Sequence, residues 1–270
     1  MRRHLFKHIK EAVKNHDDNY FRKRCDATGK EGLSALQKCV ASMRILAYGV
    51  PADAVDEYVR IGESTAREAL QHFCRAVIQV FGKHYLRAPN SIDVARLLEE
   101  GQNRGFPGML GSIDCMHWEW RNCPTAWKGQ FTGPEWAGFV KSIRHPMEQK
   151  TRHFAQQQES ARKDIEHAFG VLQTRFAVIR GPAYGWHRDQ INDIMMTCII
   201  LHNMIVEDEQ ENAHNTDFLD IGQLAVPYPN NPDRQAFVAA SHRLHDRTMH
   251  FQLQSDLIEH QWFRLGSLHQ

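Results

Sequence analysis

Two acidic residues of this chain lie where carboxylates could hold a catalytic metal ion. Asp114 closes a short apolar run directly before a cluster of Trp, His and Cys, in the stretch GSIDCMHWEWRNCPTAWKGQ at 111–130. Glu166 follows Ile165, a member of an apolar stripe at helical spacing, so its side chain should lie beside the buried face of that helix. Carboxylates that converge from different elements can hold two divalent ions for phosphodiester chemistry. The structural alternative is a turn residue at Asp114 and a surface glutamate at Glu166.

Other charged residues near these two could complete such a site. Arg162 lies four residues before Glu166 on the same predicted helix, where it could pair with Glu166 or hold a phosphate group. Glu135 and Asp164 are the acids that could replace a missing ligand. Asp164 projects from another side of the helix, which makes it the poorer substitute.

A separate metal site is conceivable at Cys115, His117 and Cys123, which share a C-x-H-x5-C spacing. This set lacks a fourth ligand and matches no recognised zinc pattern. The favoured interpretation is therefore that these are ordinary buried or surface side chains.

Two further groups have structural explanations. Trp118, Trp120 and Trp127 could stack on bases, but aromatics at alternating positions beside a strand more often pack in a core. His202 and Asn203 interrupt the most apolar run of the chain and read as a buried polar pair.

The first part of the chain is predicted to be helical. Ser34 and Gln37 form a capping-box pattern at the start of a helix within 33–48. The apolar residues expected on one face of this helix are Leu36, Val40, Met43 and Ala47.

Two more helices follow with tight joints. A short one starts at Asp53, and a longer one follows Gly62, where Thr65 and Glu68 repeat the capping pattern. Three such helices over 34–81 are what a helix-turn-helix needs to present its third helix to a major groove.

The outer face of that third helix carries Arg67, Gln71 and Arg75 at a spacing of four residues. These side chains could contact DNA. The alternative is the solvated face of an amphipathic helix, because Glu63 and Glu68 beside it would repel phosphate. The expected buried stripe is Leu70, Phe73, Val77 and Val80.

The second part of the chain begins after a Gly- and Pro-rich boundary at 103–111. Its best strand candidate is Met109–Ile113. The other expected elements are a helix over 148–176, an extended segment at Ala177–Ile179, a buried helix over 189–206 and a polar helix over 234–262. The predicted fold class is mainly α with a small β remnant.

Composition adds little electrostatic bias, because 33 Lys and Arg residues face 32 Asp and Glu residues. The charge is unevenly spread: residues 1–30 are strongly basic, whereas 203–233 contain no Lys or Arg. The six cysteines show no paired spacing and are expected to be reduced, as in an intracellular protein. No apolar run is long enough to cross a bilayer, so a soluble protein is expected.

The long motifs GSIDCMHWEWRNCPTAWKGQ, RKDIEHAFGVLQTRF and CIILHNMIVEDE resemble those of plant PIF/Harbinger transposases and the nuclease-like proteins derived from them, from near residue 1 to about 212. The resemblance implies a helical DNA-binding region followed by a DDE nuclease domain of RNase H-like fold. It also implies Mg²⁺ or Mn²⁺ as cofactor and a location in the nucleus, with the cytoplasm as a further compartment. By motif position, Asp114 and Glu166 correspond to the first and last members of the catalytic triad and its metal ligands.

This sequence departs from the family at the middle aspartate of the triad. Between Cys115 and Lys163 the chain contains no aspartate, and the text passes from WKGQFTG into PEWAGFVKSI at Pro134. About seventy residues that the resemblance leads us to expect there are absent. Asp114 and Glu166 are separated by 166 − 114 = 52 positions. A complete sheet, its crossover helix and a third strand with a carboxylate do not fit into this length, since one crossover unit alone needs about thirty residues.

We therefore expect a helical DNA-binding region at 1–100, a truncated RNase H-like DDE domain at 104–212, now largely α, and an acidic linker with a last helix at 213–270. The favoured hypothesis is a transposase-derived DNA-binding protein that cannot cut DNA, because its triad is incomplete. One alternative is an active nuclease that takes the missing carboxylate from Glu135 or a second protomer. Another is a decayed or mis-spliced product without function. The expected partners are DNA and either a second protomer or a DNA-binding accessory protein, with no membrane, and Mg²⁺ or Mn²⁺ need not bind here.

Overall fold

The structure, a computed structural model, describes residues 1–25, 27–113, 116–127, 140, 143, 145–185, 187–212 and 247–268. Over these residues the chain is mainly α-helical, as predicted, and contains nine α-helices. They are α1 (Arg3–His16), α2 (Asp18–Phe21), α3 (Ala35–Tyr48), α4 (Asp56–Val59), α5 (Glu63–Tyr85), α6 (Ser91–Asn103), α7 (Gln149–Arg175), α8 (Arg188–Asn212) and α9 (Arg247–Leu268).

The predicted strand at Met109–Ile113 is wrong. In the described ranges the only β pairing is two isolated bridges, Cys25–Glu31 and Trp120–Ala183. Met109 instead closes a turn by donating its backbone N–H to the carbonyl of Phe106 at 3.1 Å. An apolar run becomes a strand only when a neighbouring backbone can pair with it, and none lies beside this segment among the described residues.

The expected extended segment at Ala177–Ile179 is a short 3₁₀-helix, so this prediction is also wrong. The backbone N–H of Ile179 bonds to the carbonyl of Phe176 at 3.2 Å, and the Ile179 side chain is buried. A three-residue apolar run has no periodicity that separates these conformations.

The capping box at the start of α3 is confirmed. The Ser34 hydroxyl accepts a bond from the N–H of Gln37 at 3.2 Å, and the Ser34 N–H donates to the Gln37 side chain at 3.0 Å. The predicted cap of the third helix is wrong, because α5 begins at Glu63 after Gly62 and Thr65 lies inside it.

Three helices do pack as the predicted trihelical unit. Eight residues from α3, α5 and the segment between them, which includes the 3₁₀ turn at Asp53–Val55 and α4, form one buried apolar group, which we call the trihelical cluster. Its members are Ala41, Ile45, Ala52, Val55, Val59, Ile61, Ala66 and Ala69. Four of the eight are alanines, so the three helices can approach one another closely.

Helix α5 continues beyond this cluster and packs against α8, α3 and α1. Phe73 and Val77 are fully buried, as predicted, whereas Leu70 and Val80 are half-buried. On the α8 side, Thr197 donates its hydroxyl to the carbonyl of Cys74 at 3.3 Å. The first half of α5 is thus held by the trihelical cluster and the second half by α8.

Five of the six cysteines lie in the described part of the chain, and they form no disulfide. Burial raises the pKa of Cys39 and of Cys74 to about 12, and it raises the pKa of Cys198 well above its ordinary value. These thiols therefore stay protonated in the folded protein. Among the helices that the structure describes, none combines the length and apolarity needed to cross a membrane.

The chain divides into two compact units. The first comprises Met1–Arg87, Met116–Lys128 and His167–Val226, and the second comprises Ala88–Cys115, Gly129–Glu166 and Pro227–Gln270. In the second unit, Phe106, Phe154 and Ala161 form a small apolar core against which Leu257 and Ile258 of α9 pack. The functional boundaries expected near residues 100 and 212 remain a prediction.

Replacing Gly49 with alanine should destabilise the fold. Gly49 ends α3 with φ +63, and an added Cβ would lie 3.0 Å from the carbonyl carbon and oxygen of Ala177. Since both the positive φ and the contact are unfavourable, we expect Gly49→Ala to lower the free energy of unfolding by about 1–3 kcal/mol in urea titrations. The control is Gly170→Ala at an exposed position inside α7, where an added Cβ meets open space. This change should raise the free energy of unfolding by about 0.5–1 kcal/mol. Equal effects of the two changes would contradict this account.

Candidate functional site

The predicted DNA-contacting helix α5 is set at its angle by the turn that precedes it. Helix α4 ends at Arg60, whose φ of 55° lies in the left-handed region, and buried Ile61 then anchors the turn in the trihelical cluster. Gly62 follows as the residue before α5. This arrangement leaves the outer face of the first half of α5 accessible to solvent.

Two of the predicted DNA contacts lie on this accessible half. Arg67 is exposed and forms an ion pair with Glu63, one turn earlier on the same helix. Gln71 is half-buried. The pairing reduces the positive potential that Arg67 would otherwise offer to a phosphate, as the presence of Glu63 in the sequence suggested.

Arg75 lies in the half of α5 that packs against α8. Its Nε is 3.8 Å from Oδ2 of Asp193, and Arg75 is itself largely exposed. Burial raises the pKa of Asp193, while the neighbouring Arg75 acts in the opposite direction. Asp193 was not expected from the sequence, because contacts between α5 and α8 join residues more than a hundred positions apart.

An exposed arginine–tyrosine group beside the trihelical cluster was also missed. The guanidinium carbon of Arg44 lies 5.2 Å from the centre of the Tyr48 ring and 4.3 Å from that of Tyr58. Both tyrosine side chains are exposed, at 63% and 68%. The spacing of four between Arg44 and Tyr48 on α3 was the signal available in the sequence.

Of the two predicted catalytic carboxylates, only Glu166 lies in the part of the chain that the structure describes. Glu166 is exposed on α7, and its Oε1 lies 2.7 Å from the Nη2 of Arg162. This is the pairing that the sequence allowed between these two residues. Exposed pairs at this spacing stabilise a helix by only about 0.3–0.5 kcal/mol, so Glu166 can be replaced with little structural cost.

Asp114 lies outside the described residues, but the segment that leads to it is placed. The hydroxyl of Ser112 donates to the carbonyl of Ala161 at 2.9 Å. Ser112, which is two residues before Asp114, therefore lies against α7 at Ala161. Ala161 is five residues before Glu166 on that helix. Asp164, the possible substitute ligand, is paired with Arg104, and Glu135 lies outside the described residues.

Within the described ranges no three His, Cys, Asp or Glu side chains are grouped as metal ligands. Cys115 of the possible Cys/His set lies outside those ranges, while His117 is exposed and Cys123 is half-buried.

The tryptophans are tied to a neighbouring loop instead of forming a core. Trp118 and Trp120 are half-buried, and their indole N–H groups donate to the carbonyls of Gly181 and Gly185, each at 2.8 Å. Trp127, 41% exposed, packs its ring 6.0 Å from that of Trp120. The expectation that all three belong to the core is therefore too strong.

The other polar pair, His202 and Asn203, is buried as predicted. Both residues lie on α8. Arg175 Nη1 lies 3.5 Å from Nδ1 of His202.

Replacing Asp193 with asparagine should not weaken the fold at neutral pH. Because the folded pKa of Asp193 is raised above its ordinary value of 3.8, the folded state binds the proton more tightly, and this stability is lost as pH rises from about 3.8 through the raised pKa. Asp193→Asn removes that loss. We therefore expect the free energies of unfolding measured in denaturant at pH 4 and at pH 7 to differ less for this variant than for the unmodified protein.

The control is Asp56→Asn in the exposed first turn of α4, which should cost about 0.3–0.5 kcal/mol through the helix dipole. A clear loss of stability at pH 7 for Asp193→Asn would mean that the pair with Arg75 outweighs the effect of burial.

Comparison with known proteins gives one finding. The model of the family described as plant transposon protein matches residues 83–134 and 132–213, which together are just under half of the chain. No curated protein and no solved structure matches. Residues 83–213 are therefore identified as a region similar to plant transposon proteins.

Proposed function

We propose that this chain is a transposase-derived protein that binds DNA and lacks a complete catalytic triad. The observation that carries the proposal is the trihelical cluster, in which three short-jointed helices bury a common core and leave the outer face of the third accessible. This is the arrangement by which helix-turn-helix proteins present a helix to the major groove. The similarity of residues 83–213 to plant transposon proteins is consistent with descent from a DNA-acting enzyme.

The incomplete triad is supported by how that similarity is divided. The family model matches in two segments that meet at residues 132–134. This is where the sequence passes directly from Gly133 to Pro134 and where the resemblance leads us to expect a further segment with the middle aspartate. A division at this point is the pattern expected of a chain that lacks an internal part of the family.

The parental chemistry needs Mg²⁺ or Mn²⁺ held by converging carboxylates. Among the residues that the structure describes, Glu166 is exposed and paired with Arg162 and belongs to no group of three ligands, while Asp114 and Glu135 lie outside them. We assign no catalytic step to this chain, because the middle aspartate is missing from its sequence. Its proposed partners are DNA and a second protomer or an accessory DNA-binding protein, and its proposed location is the nucleus.

A direct test is retardation of DNA duplexes by the whole chain. We expect the double variant Arg67→Ala/Arg75→Ala to weaken binding roughly tenfold and to reduce its salt dependence, because each side chain would contact one phosphate or base. The matched control is Arg96→Ala/Arg121→Ala, which removes two charges from other exposed positions and should bind as the unmodified protein does. Absence of binding at every salt concentration would refute the proposed function.

A nicking assay on supercoiled plasmid tests the first alternative, an active nuclease. We expect no cleavage with Mg²⁺ or Mn²⁺. If cleavage occurs, Asp114→Asn and Glu166→Gln must each abolish it, whereas Glu159→Gln, seven residues earlier on α7, must not. Cleavage that meets both conditions would replace our proposal with a nuclease that takes its third carboxylate from Glu135 or a second protomer.

The remaining alternative is a decayed or mis-spliced product. Sequencing the transcript across codons 130–134 decides this point. Messages that carry an additional segment of about seventy codons with an aspartate would indicate that the native protein is a complete DDE nuclease.

A further inference from the structure

Helix α1 carries a row of four basic residues along one side. At 100° per residue their side chains fall within about 60° of arc, and the row is about 16 Å long. We call this row the basic stripe; it consists of Arg3, Lys7, Lys10 and Lys14. The buried residues of the same helix, Leu5, Ile9 and Val13, lie on a different side.

The orientation of the stripe is fixed by how α1 is held in the first unit. Its apolar side is buried as α1 packs against α5 and α3. Near its start, His4 Nε2 lies 2.5 Å from Oδ1 of Asp208, and at its end His16 Nε2 lies 2.5 Å from Oε1 of Gln79. A helix held at both ends and along its apolar side presents its remaining surface in a defined direction.

Two of the four stripe residues, Arg3 and Lys7, keep their charge available, while Lys10 and Lys14 both lie near the carboxylate of Glu11. Among the residues that the structure describes, Arg3, Lys7 and Lys14 form no ion pair; Arg3 and Lys7 are exposed and Lys14 is half-buried. Lys10 is paired with Glu11 at 2.6 Å, and the pKa of that carboxyl is lowered mainly by Lys10 and to a smaller extent by Lys14. The predicted contacts on α5 differ, because Arg67 and Arg75 each have an acidic neighbour.

The charge and length of the stripe fit the backbone of a nucleic-acid duplex. Over about 16 Å of axis, duplex DNA carries about ten phosphate charges, and a row of basic side chains displaces their counterions. An anionic membrane surface is the other common partner of a basic amphipathic helix. That partner needs the apolar side of the helix to enter the bilayer, and in α1 this side is buried in the protein.

We propose that the basic stripe of α1 is a phosphate-contacting surface that gives this protein sequence-independent affinity for duplex DNA. The proposal rests on the proposed DNA-binding function and adds a second contact element to it. Contacts of this kind set position and affinity but read no bases. Base preference is then left to the outer face of α5.

The experiment measures duplex affinity by fluorescence anisotropy over a series of salt concentrations from about 50 to 200 mM. It compares the unmodified chain with the variant Arg3→Gln/Lys7→Gln/Lys14→Gln. The matched control, Arg22→Gln/Lys83→Gln/Arg121→Gln, removes the same charge from exposed positions of the first unit outside α1. Circular dichroism verifies that the helical content is unchanged, and Lys7→Glu alone serves as a second variant if the triple variant fails to fold.

For the stripe variant we expect the slope of log affinity against log salt to become shallower by about 2 to 3, with roughly tenfold or greater loss of affinity at low salt, and no such change in the control. Equal slopes in the two variants, with duplex binding intact, would overturn this inference and leave the proposed function standing. Absence of duplex binding by the unmodified chain would overturn both. Binding to phosphatidylserine vesicles that only the stripe variant loses, without duplex binding, would assign the stripe to a membrane surface.

Discussion

The packing of α5 against α8 is the contact on which the rest of the first unit depends. Phe73 and Val77 of α5 are fully buried, and α8 contributes the densest run of buried apolar side chains, Cys198 to Leu201. Since α3 and α1 pack against the same central helix, the trihelical cluster and the basic stripe both take their positions from α5. The exposed face of α5 is thus the outer surface of a core that is completed by a helix more than a hundred residues later in the sequence.

This dependence explains why the two arginines of α5, Arg67 and Arg75, have different acidic partners. In the first half, Arg67 meets only a residue of its own helix. In the second half, packing against α8 brings Arg75 to the half-buried carboxylate of Asp193. Both arginines were predicted from the sequence to lie on the outer face of α5, but their electrostatic surroundings differ because only Arg75 pairs with a residue of another helix.

The sequence predicted those features that local physics determines. The capping box at Ser34 depends on four consecutive residues, and the bounds of α7 were predicted to within one residue at each end because its periodicity is long. The buried face of α3 was harder to predict from the sequence. Leu36 was expected to be buried and is 51% exposed, whereas Cys39 and Leu46 are buried, because α3 has neighbours on more than one side. The strand at Met109–Ile113 required a pairing partner that no local pattern could supply, and the position of Asp114 remains a prediction.

The contact between α5 and α8 also bears on the proposed loss of an internal segment. The connection from Tyr85 to Arg188 spans about a hundred residues, and the expected gap near residue 133 lies within it. The entropy of closing such a connection varies only with the logarithm of its length, so removing about seventy residues from it changes the closure free energy by about 0.5 kcal/mol. The core around α5 would form almost equally well with the central segment or without it.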